Sequence, residues 1–130
     1  MYQHPGNRPV FLNLWKFHFP LNAWLSIAHR LSGILLFCSL IAYLALANLL
    51  IWHDAVSLAN IRDHCFVRLL HTVFWISLSY HWLNGLRHLL AEHFIDPNLY
   101  RRINHQSVAW LMLSAWLVLS IIIIRQVWSS

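Results

Sequence analysis

Charge is scarce in this chain: 10% of its 130 residues are Asp, Glu, Lys or Arg, against about 25% in an ordinary soluble domain. A water-soluble fold is therefore not expected. Glycine is scarce as well, with 3 residues and no GxGxxG pattern, so there is no flavin-binding fingerprint. The 2 cysteines, Cys38 and Cys65, show no CxxC or zinc-like spacing and are too few to hold an iron–sulfur cluster. Both read as small buried hydrophobes. No repeat, low-complexity tract or linker divides the sequence, so a single domain over residues 1–130 is expected. The start MYQHPGNRPV has no basic region followed by a short apolar core and a small-residue cleavage site, and no cleaved signal is expected.

Apolar residues make up 59% of the chain. Pro5, Gly6 and Pro9 break helix near the N-terminus, and Phe11, Trp15, Phe17 and Phe19 then alternate with Lys16 and His18, the pattern of a headgroup-level segment. Pro20 suits a first helical turn. From Leu31 to Trp52 no residue is charged, enough for the roughly 20 residues that a hydrocarbon core requires. Three spans are predicted, at about 21–52, 64–93 and 104–125. They are separated by a polar connection over residues 53–63, with Asn60 or Asp63 as a helix cap, and by a turn at Asp96, Pro97 and Asn98. The fold class is all-α: a membrane protein of three transmembrane helices running up-down-up. Arg8, Lys16, Arg30, Arg87, Arg101 and Arg102 fall on one side, and Arg62, Arg68 and Arg125 on the other. That asymmetry places the N-terminus in the cytoplasm. The net charge of +5 is dispersed over loops and helix ends, which fits anionic lipid and gives no footprint for nucleic acid.

Histidine carries the chemistry. Leu69 to His93 is long enough to cross a bilayer yet holds His71, His81 and His88, and an imidazole among lipid tails is costly unless paired or coordinating. His81, Gly85, His88 and Glu92 share one helical stripe, with His88 roughly 10 Å along the axis from His81. Such a face offers a deep nitrogen ligand, a glycine past which a flat group can approach, and a second imidazole near water, which suits an edge-on haem. The plainer reading is that His81 merely bonds a neighbouring helix, and for His71, on another face, that reading is preferred. On the first span Ser26, His29, Arg30 and Gly33 stand at i, i+3, i+4 and i+7, near the cytoplasmic end, where Arg87 and His88 also come. Lipid snorkelling accounts for a lone Arg30 equally well. A quinone needs a hydrogen-bond donor at its carbonyl and a nearby positive charge as electrons arrive, roles that Ser26 and Arg30 can fill. A single axial histidine leaves the sixth iron position to a partner helix, and three helices are few to enclose a macrocycle, so a second membrane chain is expected.

Three segments resemble the family of cytochrome b556 membrane-anchor subunits of bacterial succinate dehydrogenase, the larger of that enzyme's two small hydrophobic anchors. Arg8-Pro9-Val10 looks like its RP motif. Ser26-Ile27-Ala28-His29-Arg30-Leu31-Ser32-Gly33 looks like S-I-x-H-R-x-[ST]-G, and His81 with Gly85-Leu86-Arg87-His88 looks like H-x-x-x-G-x-R-H. The match departs mildly where the family often has Asp and this chain has Glu92. The resemblance implies that His81 is an axial ligand of a haem b shared with the second anchor subunit, and that His29, Arg30 and His88 lie near the propionates. It also implies that Ser26 and Arg30 line a ubiquinone site beside the iron–sulfur subunit, with a flavoprotein subunit completing the complex at the bacterial inner membrane. Alone, the chain would not oxidise succinate. A haem-free structural anchor or small transporter subunit, and a fumarate reductase anchor, are the competing readings.

Overall fold

A computed structural model of the chain describes residues 20–53, 56–93 and 97–129. The aromatic N-terminal segment, the Arg8-Pro9-Val10 motif, Asp96 and the Glu92 side chain lie outside these. The described residues form five helices: α1 (Leu21–Trp52), α2 (Leu58–Arg62), α3 (Cys65–His93), α4 (Pro97–Ile103) and α5 (Gln106–Ser129). The long helix α3 packs between α1 and α5 and runs antiparallel to both: residues 80 and 71 of α3 meet residues 25 and 43 of α1, and residues 76 and 72 meet 116 and 128 of α5.

Local chemistry sets the helix ends. Pro20 is the N-cap of α1, not a first-turn residue: its backbone is extended (φ −62°, ψ 152°), and its carbonyl accepts from Ala23 N–H at 2.9 Å. The connection after α1 contains a helix of its own, α2, because the Ser57 hydroxyl accepts the Asn60 N–H. Asn60 is thus spent inside α2, and Asp63 is the C-cap residue of α2, its carboxylate pairing with Arg68 at 2.7 Å and not capping the start of α3. His64 takes the position before α3, with Nδ1 accepting from Phe66 N–H at 3.3 Å. On the far side Pro97 opens α4, where a turn was expected.

The core is small. Leu25, Tyr80, Ala109 and Met112 are buried together, with Leu83, Leu113 and Trp116 against them. Tyr80 and Trp116 meet edge to face at 5.3 Å, the Tyr80 hydroxyl donates to Leu25 O (3.1 Å), and Trp116 Nε1 donates to Ile76 O (3.1 Å). Most of the other buried positions are polar or small: Ser32 and Ser39 on α1, Ser77, Asn84 and Arg87 on α3, Ser120 on α5. Large apolar side chains point outward instead, among them Ile34, Phe37, Leu44, Leu111 and Ile122. This is the reverse of a water-soluble bundle and matches helices that pack through small and polar residues while apolar surface faces lipid or another membrane chain. Cys38 and Cys65 follow the same inversion: both are exposed, not buried as expected, because the outer surface is itself apolar.

Among the described residues α1 and α5 are long and apolar enough to cross a membrane on length and composition. Only 6% and 17% of their most apolar stretches are buried, so neither is the core helix of a soluble domain. At 29 residues α3 is long enough too, but its histidines, Asn84 and Arg87 lower its hydropathy.

Candidate functional site

Near the N-terminal end of α1, the stripe of α3 that carries His81, Gly85 and His88 faces His29 and Gly33. The His29 and His81 rings stack at 4.0 Å, nearly parallel at 12°, and His88 meets His29 edge-on at 5.7 Å. The two glycines make room for this. A Cβ on Gly33 would lie 3.2 Å from His81 Cε1, and one on Gly85 would lie 3.4 Å from His29 Cε1. The gap at Gly85, expected to admit a flat ligand, is therefore filled by the imidazole of the neighbouring helix.

Hydrogen bonding fixes the His81 tautomer. The Ser32 hydroxyl spends its one proton on the His29 carbonyl at 2.7 Å. His81 Nδ1 lies 3.0 Å from that hydroxyl oxygen and 3.2 Å from the same carbonyl, and a carbonyl can only accept. Nδ1 must therefore carry the proton and share it between the two oxygens. The lone pair is left on Nε2, which has no hydrogen bond among the described residues and is not sealed inside. His29 is less settled: its Nδ1 is buried without a partner. Such an orphan costs about 1–3 kcal/mol, and Asn84 Oδ1 is buried without a partner as well.

The remaining predicted residues divide. Ser26 is half-buried and Arg30 exposed on α1, one turn apart on the side chains' shared face. His88 is exposed at the same level. Arg87 does not join them. It turns the other way and is buried, with Nε donating to Ile103 O (3.2 Å) and the terminal nitrogen to Asn22 Oδ1 (2.8 Å) and Asn104 Oδ1 (3.4 Å).

At the opposite end of α3, His71 has both nitrogens engaged, Nδ1 with the Tyr43 hydroxyl at 2.6 Å and Nε2 with the Trp75 indole N–H at 3.1 Å. No group of three or more His, Cys, Asp or Glu among the described residues is placed to hold a bare metal ion. What this end of the bundle offers is one oriented imidazole with a free lone pair, beside a guanidinium, a hydroxyl and two more imidazoles.

Residues 4–121 match the family model described as succinate dehydrogenase/fumarate reductase transmembrane subunit. The chain belongs to this family. It is also similar to the succinate dehydrogenase cytochrome b556 subunit of Coxiella burnetii, 42% identical over 96 residues that cover 67% of this chain and 72% of the relative. For a succinate dehydrogenase/fumarate reductase transmembrane subunit, the outward-facing apolar helices need no further account.

Three structural contributions go beyond what the motifs imply: Ser32 contacts His81 Nδ1, Asn84 is fully buried, and Arg87 packs away from the histidine cluster. A signal did exist: Ser77, Tyr80, Asn84, Arg87 and Ala91 follow i, i+3, i+7, i+10, i+14, the spacing of a packed helix seam, and all five are buried.

Proposed function

We propose that this chain is a haem b-carrying membrane anchor of a succinate:quinone oxidoreductase, helping to form its ubiquinone-reduction site. In this reading it is a single domain over residues 1–130. Its helices α1, α3 and α5 cross the bacterial inner membrane up-down-up, with the N-terminus in the cytoplasm. It packs against a second small anchor, and the iron–sulfur and flavoprotein subunits dock at the cytoplasmic end, where the histidine cluster lies.

The observation that carries the reading is the state of His81: Nδ1–H held by Ser32 and the His29 carbonyl, and a bare Nε2. A histidine that ligates a metal through one nitrogen almost always donates the other N–H to a fixed acceptor, which sets ring orientation and raises basicity. One such imidazole is enough for an iron whose porphyrin supplies four nitrogens. The haem, when bound, supplies a one-electron redox centre. His81 would hold its iron with a histidine of the companion anchor, and His29, Arg30 and His88 are the cationic or donating groups available to its propionates. Ser26 and Arg30 serve the quinone: a hydroxyl to hydrogen-bond a carbonyl oxygen, and a permanent positive charge to stabilise negative charge there until protons arrive from the aqueous side.

A reduced-minus-oxidised absorption spectrum of the purified complex tests the haem, and a colourless complex would leave the structural-anchor reading. Replacing Ser26 with alanine or Arg30 with leucine should lower succinate-driven ubiquinone reduction by about tenfold or more, while transfer to a soluble artificial acceptor persists. Equal loss of both activities would exclude a quinone role.

Ser32→Ala keeps the His29 carbonyl as an acceptor but removes the hydroxyl, so haem should still bind, with affinity lowered about tenfold and the midpoint potential shifted. Unchanged retention and potential would show that Ser32 does not position His81. Topology is tested by engineered cysteines labelled from outside intact cells: position 57 should react and position 98 should not. The family description covers fumarate reductase as well, and steady-state assays in both directions with defined quinones separate the two.

A further inference from the structure

The pattern His-x-x-x-Gly occurs twice, at residues 29–33 of α1 and 81–85 of α3. Because the two helices are antiparallel neighbours, each histidine meets the glycine of the other helix. A Cβ on Gly33 would lie 3.2 Å from His81 Cε1, and one on Gly85 would lie 3.4 Å from His29 Cε1. The two imidazoles are thereby held face to face, with centroids 4.0 Å apart and planes 12° from parallel. Aromatic pairs ordinarily keep their centroids about 4.5–7 Å apart, so these rings overlap more fully than most.

The reciprocity fails at the nitrogens. Ser32, three residues after His29, receives the His81 Nδ1 proton together with the His29 carbonyl. Asn84, three residues after His81, does not return the favour: its amide donates to Leu25 O at 3.3 Å, and its Oδ1 and the buried His29 Nδ1 both meet nothing among the described residues. One ring is therefore tethered by its edge. The other is held by packing, against the His81 face, the Gly85 backbone and the His88 edge. The tether leaves His81 some freedom, because its proton is shared between oxygens at 3.0 and 3.2 Å and such bonds accept a broad range of angles. A parallel ring at 4.0 Å removes it, since the two faces already stand near carbon–carbon contact distance and a tilt of either drives atoms together.

We propose that His29 is a positioning residue for the haem ligand: the face of its ring, and not its nitrogens, fixes the plane of His81. The inference rests on the proposed function, since a ligand plane has meaning only where His81 binds iron. It uses a different part of His29 from the nitrogen that a propionate would take, and substitution separates the two. Phenylalanine at position 29 keeps the flat face and removes the unpartnered Nδ1, whereas glutamine keeps a donor and removes the face. The plane of an axial imidazole governs how the d orbitals of a low-spin ferric iron split, so the largest g value in electron paramagnetic resonance reports it.

The test uses the purified complex containing this chain and reads the resonance spectrum of its oxidised form, the midpoint potential, and the rate at which haem passes to excess apomyoglobin. His29→Phe should match wild type in its largest g value and in haem retention. His29→Gln and His29→Ala should shift and broaden that g feature, move the midpoint potential and release haem about fivefold faster, as the loss of one aromatic stack implies. Should His29→Ala fail to assemble, the phenylalanine and glutamine variants still decide. The opposite ranking, with glutamine near wild type and phenylalanine altered or without haem, would overturn the proposal, because a nitrogen would then be what matters. So would a g value unchanged in all three variants, or one altered as much by phenylalanine as by glutamine. A colourless wild-type complex would overturn the proposed function itself, whereas a coloured one with any of these adverse results overturns this inference alone.

Discussion

Replacing His81 with alanine is expected to remove the b-type haem signal from the purified complex, and replacing His71 with alanine to leave it in place. Both residues are imidazoles of α3 in a segment where such groups are costly, so helix and hydropathy do not separate them. Their hydrogen bonds do. His71 spends both nitrogens, one on Tyr43 and one on Trp75, and has no lone pair to give. His81 holds its proton between Ser32 and the His29 carbonyl and keeps Nε2 free. Among its neighbours, His29 has one nitrogen sealed inside. His88 lies about two turns nearer the C-terminal end of α3, where the proposed function puts the propionates. Loss of signal also follows from failed assembly, so the measurement is paired with exogenous imidazole added to His81→Gly. The ring left by Gly33 and His29 is a shaped recess, and free imidazole restoring the reduced-minus-oxidised difference would show that ligation, not folding, was lost. An intact spectrum in His81→Ala, or its loss in His71→Ala alone, would show that another nitrogen binds iron.

The histidine stripe and the opposed Ser26, His29, Arg30, Gly33 face were legible in the sequence because helical spacing places residues on faces whatever the solvent. The all-helical architecture was legible for a similar reason: long uncharged runs leave the backbone few other ways to satisfy its hydrogen bonds in lipid. What stayed hidden was the sign of the burial pattern. Reading apolar residues as core put Cys38 and Cys65 inside, yet both face out. It also passed over Asn84, which is fully buried and donates to Leu25 O at 3.3 Å. In a bundle with an apolar exterior, the packed seam is marked by serines, Tyr80, Asn84 and Arg87 at heptad spacing, so the informative residues are the polar ones. The Gly85 gap was legible as an approach point, but whether a ligand or a neighbouring ring enters it depends on a helix more than fifty positions away in sequence. Tautomers were beyond reach for the same reason, since they are set by partners from other helices.

Arg87→Leu is expected to destabilise the assembled subunit by about 2–4 kcal/mol, seen as a lower melting temperature of the purified complex and less complex in the membrane. Arg87 is 6% exposed and has no acidic partner among the described residues; three neutral oxygens surround it, from Asn22, Ile103 and Asn104. Asn22 in turn donates to Asn104 O at 3.2 Å, so α1, α3 and the connection before α5 are tied at one point. Leucine fills much of the volume and removes the cost of burying a charge, but it gives up all three bonds that one buried guanidinium makes to α1, α4 and the connection before α5, and that loss is the larger effect. Lysine should not rescue, because the bonds diverge from Nε and a terminal nitrogen of one rigid fork, a geometry that an ammonium does not reproduce. Asn22→Ala alone should cost less, about 1 kcal/mol. Made together with Arg87→Leu it should add less than that, since the contact it breaks is already gone. Simple additivity of the two losses would mean that the arginine does not act through Asn22. An Arg87→Leu complex that melts with wild type would remove it from the fold's support altogether and return it to the cationic cluster around His88, where sequence alone had placed it.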